Sequence, residues 1–329
     1  MKDAICYGGI YVPVGEKKSG YAPILDTGVS MPITVVNGQY DGPTVLITSG
    51  VHGGEYPCIE TTLQIAAETN PAAVYGQLIL IHPVNVSAFI QRFQYYVPED
   101  GKNINRMFPG KANGSISEQI AYVLTTEYQK RADFYFDLHG GDIHEDLPFQ
   151  VYYPGKPEVT DPELLRVCSE LADRVEAVFK IKAPIPCTAS ASAAINCGVP
   201  ALMLECGGKG LWSQEEVDRY KRSVYNLLYY TGLLKGTVQQ FPKATELFGA
   251  STPMASSDGV WYPAVKLGED VVKGQKIGEI RNLLGDLIEE FFSEADGIIV
   301  YIITSLAIAK GEPVLSIGLK QNRKEKKNV

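Results

Sequence analysis

The chain has 329 residues, 45% of them hydrophobic and 21% charged, with a formal net charge of −8 and a pI of about 5.2. That length can bury a large core and predicts two domains, and the acidic balance argues against a general nucleic-acid binder, which presents a basic face. No apolar run approaches the roughly 20 residues of a membrane span, and the first residues lack the apolar stretch of a signal peptide, so the expectation is a cytoplasmic protein without a membrane partner.

Six cysteines occur without a Cys-x-x-Cys pair, which reads as free thiols in a reducing compartment. There are four histidines, His52, His82, His139 and His144. With so few, the two that fall in Gly-rich loops after apolar runs carry weight.

Residues 1–40 read as short β segments with turns, an antiparallel edge of the main sheet. Residues 30–38 form a strand that ends in an Asn37-Gly38 turn. Residues 44–49 read as the first buried strand. It breaks into Gly50-Val51-His52-Gly53-Gly54-Glu55. An imidazole and a carboxylate three residues apart close on one metal ion if the backbone turns tightly, and Gly53-Gly54 permits that turn. Residues 56–70 read as a helix stopped by Asn70-Pro71. Residues 76–85 read as another strand, in which His82 is structural.

Residues 86–110 show little periodicity. A long ordered loop in a compact domain is usually functional, and this one holds Arg92, Asn105 and Arg106. Residues 115–131 are helical in pattern, with Ser115 and Glu118 spaced as a capping box. Residues 134–138 form a second apolar strand that delivers His139, the candidate third ligand, into Gly140-Gly141. Parallel strands that present ligands from their carboxyl ends into one crevice are where open α/β sheets bind things. Residues 140–148 read as a loop. Within it His144, Glu145 and Asp146 read as solvated rather than as lining of an entrance or a second ion site.

Residues 149–153 form a β segment. Residues 161–179 read as a helix capped by Asp161 with Pro162 at its first position, and 189–196 as a short one. Residues 200–204 form an apolar strand that ends at Glu205. Residues 212–234 contain a helix, with Ser213 and Glu216 at its start. The βα alternation from 44 to 235 predicts an α/β fold, a mainly parallel mixed sheet flanked by helices. This catalytic domain is expected to span 1–238.

From 239 to 320 short β pieces alternate with Gly and Asp turns, which predicts a C-terminal all-β barrel or sandwich. Residues 265–280 and 294–300 resemble half-repeats of the biotinyl/lipoyl-carrier β-sandwich. No carrier lysine stands on the stretch 281–286 between them, so a cap over the site or a subunit contact is the reading, and a homo-oligomer is left open. The basic segment 321–329 is expected to be a disordered tail.

Four stretches occur in order: His52-Gly53-Gly54-Glu55, Asn103-Ile104-Asn105-Arg106-Met107-Phe108-Pro109, Asp137-Leu138-His139-Gly140 and Leu204-Glu205-Cys206-Gly207-Gly208. Together they resemble the succinylglutamate desuccinylase/aspartoacylase family of the zinc carboxypeptidase superfamily. The resemblance implies a zinc carboxypeptidase-like fold with one zinc per chain on His52, Glu55 and His139. It places the general base at Glu205, an oxyanion-stabilising role at Arg92, and a substrate-carboxylate grip at Asn105 and Arg106. Asp137 would orient a ligand. A site of two histidines and one glutamate leaves a position open for water, whose pKa zinc lowers from 15.7 towards about 7.

The implied activity is hydrolysis of the amide of an N-acylated amino acid or small amine. A metallocarboxypeptidase acting on a peptide and a catalytically inactive binding module are the alternatives. The specificity arginine that some family members carry between the third ligand and the base is not evident. The region reads Ser190-Ala191-Ser192-Ala193-Ala194, which leaves room for a neutral or amine-bearing substrate.

Overall fold

The apolar runs fold as strands, and their directions decide where polar ends gather. The computed structural model describes residues 3–155, 161–183 and 188–320. At one edge β1 (Glu16–Pro23) pairs antiparallel with β2 (Ser30–Asn37), which pairs antiparallel with an inner strand. The chain then alternates. It runs through β3 (Tyr40–Ser49), α1 (Tyr56–Glu68), β4 (Tyr75–Ile81), α2 (Val86–Gln91), α3 (Ile116–Val123) and β5 (Phe134–His139). It continues through β6 (Glu145–Pro154), α4 (Pro162–Ala172), β7 (Phe179–Ala183), α5 (Ser190–Asn196), β8 (Ala201–Gly208) and α6 (Gln214–Tyr230).

The centre of the sheet runs β6-β8-β5-β3-β4. Within it β8, β5, β3 and β4 are mutually parallel, and β6 is antiparallel to β8. Successive residues of β3 serve opposite layers. Leu46 packs with Ile79, Tyr135 and Ala201 on one face, and Val45 and Ile47 pack with Leu80, Leu138 and Leu204 on the other. Both faces are covered, as a sheet with helical crossovers requires. Each buried Leu or Ile contributes about 1.5–3 kcal/mol of transfer free energy.

Capping decides several helix starts. In α6 the Ser213 hydroxyl accepts from Glu216 N at 3.3 Å. In α3 the Glu118 carboxylate accepts from Ser115 N at 3.0 Å, the expected box.

Three expectations are corrected. The helix expected over 161–179 ends at Ala172, and 179–183 form β7, which pairs parallel with β6. No Gly or Pro marks the break, and Phe179 and Ile181 bury in the sheet instead. The loop expected over 140–148 is already strand from Glu145. Pro148 is accommodated because the register with β8 shifts between Leu147 and Gln150. Residues 86–110 contain α2, whose cap Asn85 accepts from Ala88 N at 3.1 Å.

The C-terminal part is strand-rich, and part of it continues the main sheet. β9 (Thr245–Leu247) lies parallel to β7. β10 (Gly297–Ile303) pairs antiparallel with the start of β6 and with β11 (Leu315–Leu319). Among the described residues the main sheet counts thirteen strands. A separate four-stranded sheet of Leu287–Phe292, Lys276–Arg281, Gly259–Pro263 and Ala307–Ile308 encloses buried Trp261, Ile277 and Ile280. The tail 321–329 lies outside the described residues.

Candidate active site

β3 ends at Ser49, and the chain turns through Gly50, whose φ of 67° is in the left-handed region. His52 and Glu55 follow before α1 begins. Glu55 occupies the N-cap position, yet its side chain makes no cap hydrogen bond. A capping carboxylate normally turns to the helix N–H groups; this one turns to two imidazoles. Glu55 Oε1 lies 2.7 Å from His52 Nδ1, and Oε2 lies 3.2 Å from His139 Nδ1. Gly53 and Gly54 are needed here for close approach rather than for positive φ. A Cβ on Gly53 would strike the backbone at Ala88–Phe89, and one on Gly54 the Asp142 carboxylate.

His139 is the last residue of β5 and is buried. Its Nε2 faces Asp137 Oδ2 at 3.1 Å, and the other Asp137 oxygen accepts from the Thr48 hydroxyl at 2.7 Å. The expected orienting role of Asp137 therefore has a geometry. On the other ligand, His52 Nε2 lies 3.1 Å from Asn103 Oδ1. Each histidine thus points Nδ1 towards Glu55; His52 Nε2 is held by Asn103, and His139 Nε2 faces Asp137.

One ligand atom from each of His52, Glu55 and His139 lies within 4.8 Å of the others, and all three residues are buried. Burial disfavours charge on Glu55, but the His139 and His52 imidazoles outweigh it and hold the carboxyl below its usual range. Burial likewise opposes a charged His139, and Asp137 and Glu55 raise its pKa well above the usual value. Glu55 Oε2, Asp137 Oδ2 and His139 Nε2 are buried without a hydrogen bond of good geometry. A borderline-soft donor set of two imidazoles and a carboxylate, with stranded polar atoms, fits a divalent metal ion such as zinc.

β8 is the parallel neighbour of β5, and Glu205 pairs in register with His139. Its carboxylate accepts from Gln150 Nε2 of β6 at 2.9 Å. Burial pushes Glu205 up to about 7, against the attraction of His139. A carboxylate with a pKa near neutrality beside a metal-type cluster is suited to carry a proton both ways.

Glu205 and the His/Glu/His cluster line one cavity of about 540 Å³. Asn105 and Arg106 line it too. Asn105 is buried, and its side-chain oxygen accepts from Ser190 N at 2.8 Å, which ties the 104–106 turn to the start of α5. Arg106 donates from Nη1 to Asn105 O at 2.8 Å and is otherwise open to the cavity mouth.

Arg92 is not brought to this cavity. It closes α2 in a left-handed conformation, φ 56°, is exposed, and lines a separate groove with Tyr56, Phe89 and Trp212. An oxyanion contact from Arg92 is therefore no part of this arrangement. His82 accepts the structural reading, with its Nε2 3.1 Å from the Thr34 hydroxyl.

The solvated reading of residues 144–146 is wrong for Glu145. It is 5% exposed, lines the cavity, and accepts from the Tyr95 and Tyr301 hydroxyls. Three consecutive polar residues hid it. Tyr301 sat inside an apolar run, and Tyr95 carried no signal. Gln150 did carry one: a lone amide in a buried strand. Thr252, Glu312 and Ser316 of the C-terminal region also line the cavity, so that region closes one side of the site.

Comparisons with known proteins place the chain by family and by fold. Residues 41–231 match the Succinylglutamate desuccinylase/Aspartoacylase catalytic domain. The chain is 28% identical over 326 residues to the N-alpha-acetyl-L-2,4-diaminobutyric acid deacetylase of Halomonas elongata, covering 96% of this chain and 92% of that one. A crystal structure of succinylglutamate desuccinylase/aspartoacylase from Rhodobacter sphaeroides superposes with a TM-score of 0.82 at 26% identity, covering 98% of this chain and 97% of that one. The product-bound structure of the ectoine utilization protein EutE (DoeB) from Ruegeria pomeroyi gives a TM-score of 0.84 at 23% identity over 97% and 96% of the two chains, a likeness of fold. With the match spanning more than half of its length, this chain belongs to the succinylglutamate desuccinylase/aspartoacylase family.

Proposed function

We propose that this protein is a zinc-dependent deacylase that hydrolyses the amide of an N-acylated amino acid or small amine. The observation that carries the reading is the pairing, in one cavity, of the His52–Glu55–His139 cluster with the raised carboxylate of Glu205. His52, Glu55 and His139 would hold the ion. When bound, it supplies an acidified water and polarises an acyl oxygen.

The chain's own residues do the rest. Glu205 takes the proton from the attacking water and returns it to the departing amine. Gln150 holds the Glu205 carboxylate towards the cavity while it does so. Arg106 offers a guanidinium to a substrate carboxylate, for which its planar fork is suited. Asn105 fixes the turn that carries Arg106 by its bond to Ser190 N.

The cavity, closed on one side by C-terminal strands, favours a small substrate over a peptide, which weighs against the carboxypeptidase reading. A relative that deacetylates an N-acetyl diamino acid supports the same choice. Among the described residues no helix is long and apolar enough to cross a membrane, and the five described cysteines are free thiols. Both features suit action on a free metabolite in the cytoplasm.

The test pairs metal content with amine release from a panel of N-acyl amino acids, for wild type and Glu205→Ala. About one zinc per chain, with turnover that Glu205→Ala abolishes while the metal stays bound, is the expected result. Zinc without turnover of any acyl substrate would shift the assignment to a peptidase. An intact fold without metal would leave a binding module.

A further inference from the structure

We infer that Glu145, flanked by Tyr95 and Tyr301, is the subsite for a cationic group of the substrate, the side-chain ammonium of an N-acylated diamino acid. The inference rests on the deacylase reading and names the substrate class for the same cavity.

Glu145 opens β6, six residues after His139, and lines the cavity with Glu205 and the His/Glu/His cluster. It is 5% exposed. Its partners are two tyrosine hydroxyls on one oxygen and Asp142 N, at 2.7 Å, on the other. Among the described residues it has no cationic partner. Buried carboxylates are ordinarily paired with a cation, so this one is set up for a charge that arrives with a ligand. Burial raises it to about 6, and the hydroxyls and the amide pull the other way, so it is largely ionised at neutral pH.

The surroundings suit an ammonium. The Tyr95 and Tyr301 hydroxyls converge on the same oxygen and fix the Glu145 carboxylate at the cavity wall. The Tyr95 ring stands edge-on to His52 with centroids 5.8 Å apart, so the subsite is one ring away from a candidate metal ligand. Tyr95 holds a left-handed backbone, φ 56°, and Asp142 Oδ2 accepts from its N–H at 2.9 Å. Backbone strain in a non-glycine residue is kept where surrounding structure over-determines it, commonly at functional sites.

The charges of the cavity are divided. Arg106 is the one lysine or arginine among its described lining residues, and Glu145 and Glu312 lie on the wall completed by the C-terminal strands. A substrate with a carboxylate for Arg106 and an ammonium for Glu145 satisfies both. A dicarboxylic acyl-amino acid would leave a second anion facing Glu145.

A purely structural role is the competing account, since the Tyr301 bond ties β10 to the start of β6. Such a tie changes stability but not ligand choice. The experiment therefore measures choice. Binding of 2,4-diaminobutyrate and of 2-aminobutyrate to the zinc-loaded protein is compared by calorimetry, for wild type, Glu145→Gln and Tyr301→Phe.

A charge-assisted hydrogen bond predicts that wild type binds the diamino acid about 10- to 100-fold more tightly. Glu145→Gln should bring the ratio to about one, and Tyr301→Phe should lower it part of the way. Equal affinities in wild type overturn the inference, whether or not the variants fold. So does a preference that survives Glu145→Gln. Amine release from the N-acetylated forms of both compounds is followed separately. Absence of turnover alongside an intact binding preference would refute the deacylase reading and leave the subsite standing.

Discussion

Glu205 is held ionisable in a place that resists its charge, and replacing it with Gln tests that directly. Burial raises its pKa from an ordinary 4.5 to about 7, which at 1.36 kcal/mol per pH unit amounts to at most about 3 kcal/mol. The sign follows from linkage. The unfolded chain loses this proton near 4.5 and the folded one near 7, so the folded state binds more protons between those values and stability falls as pH rises through them. Above pH 7 the full penalty is present. Glu205→Gln removes the charge and can still accept from Gln150 through its amide oxygen, so the metal-free variant should be more stable than metal-free wild type at pH 8. For a chain of this length about 3 kcal/mol corresponds to a melting shift of about 4 °C. The gap should shrink as pH falls and vanish near 4.5. Turnover should fall by about 10²–10⁴, the usual contribution of a general base. The assay is thermal melting of chelator-treated protein between pH 4.5 and 8, with amine release measured on the metal-loaded forms. A gap independent of pH, or a variant less stable at pH 8, would refute the account of Glu205 as a carboxylate strained by burial.

In the metal-loaded wild type, kcat/KM should decline on acidification as Glu205 is protonated, along a limb below the metal-free value of about 7 because a bound cation favours the carboxylate; a profile flat down to about pH 4 would contradict the role. Arg106→Ala should raise KM for a carboxylate-bearing substrate by about 10- to 100-fold with a smaller change in kcat, read by steady-state kinetics. Gly54→Ala places a methyl on the Asp142 carboxylate, so the turn bearing Glu55 must shift; elemental analysis should show less than one metal per chain although the melting transition persists. Tyr220→Phe removes the hydroxyl that donates to the His139 carbonyl, and the buried oxygen left behind should cost about 1–3 kcal/mol in denaturant unfolding.

Much of the site could be read from the chain because its chemistry is local. His52 and Glu55 stand three residues apart after an apolar strand, His139 ends one, and Glu205 follows the apolar run 200–204, although β8 continues past it to Gly208. Period and breaker residues suffice to place such groups near the carboxyl ends of strands. Their meeting then depends only on the strands being parallel neighbours. What could not be read depends on contacts between distant segments. Gln150 reaches Glu205 because β6 runs antiparallel to β8, which no local pattern in 149–153 announces. Arg92 shows the opposite failure. It lies in the expected loop, but a six-residue helix capped by Asn85 turns it away from the cavity. The end of α4 was missed because residues 173–178 contain neither Gly nor Pro, and the switch to strand is decided by burial of Phe179 and Ile181.

The mixed direction of the sheet explains why the cavity has a second, acidic wall. Parallel strands bring only their carboxyl ends to one rim, and β3, β5 and β8 deliver the cluster and Glu205 there. Because β6 runs the other way, its first residues lie beside the last residues of β8, Asp146 opposite Gly208. The rim thus receives the beginning of a strand, and with it Glu145. β10 reverses direction again, and its end lies beside Glu145, which pairs with Ile303. Tyr301, far along the chain, arrives at the same point. A fully parallel sheet would need long loops to bring these groups together, and loops hold a buried carboxylate less firmly than ladder hydrogen bonds do. Two reversals thus place Glu145 and Tyr301 on rigid elements, the condition under which one carboxylate can discriminate an ammonium from a methyl group.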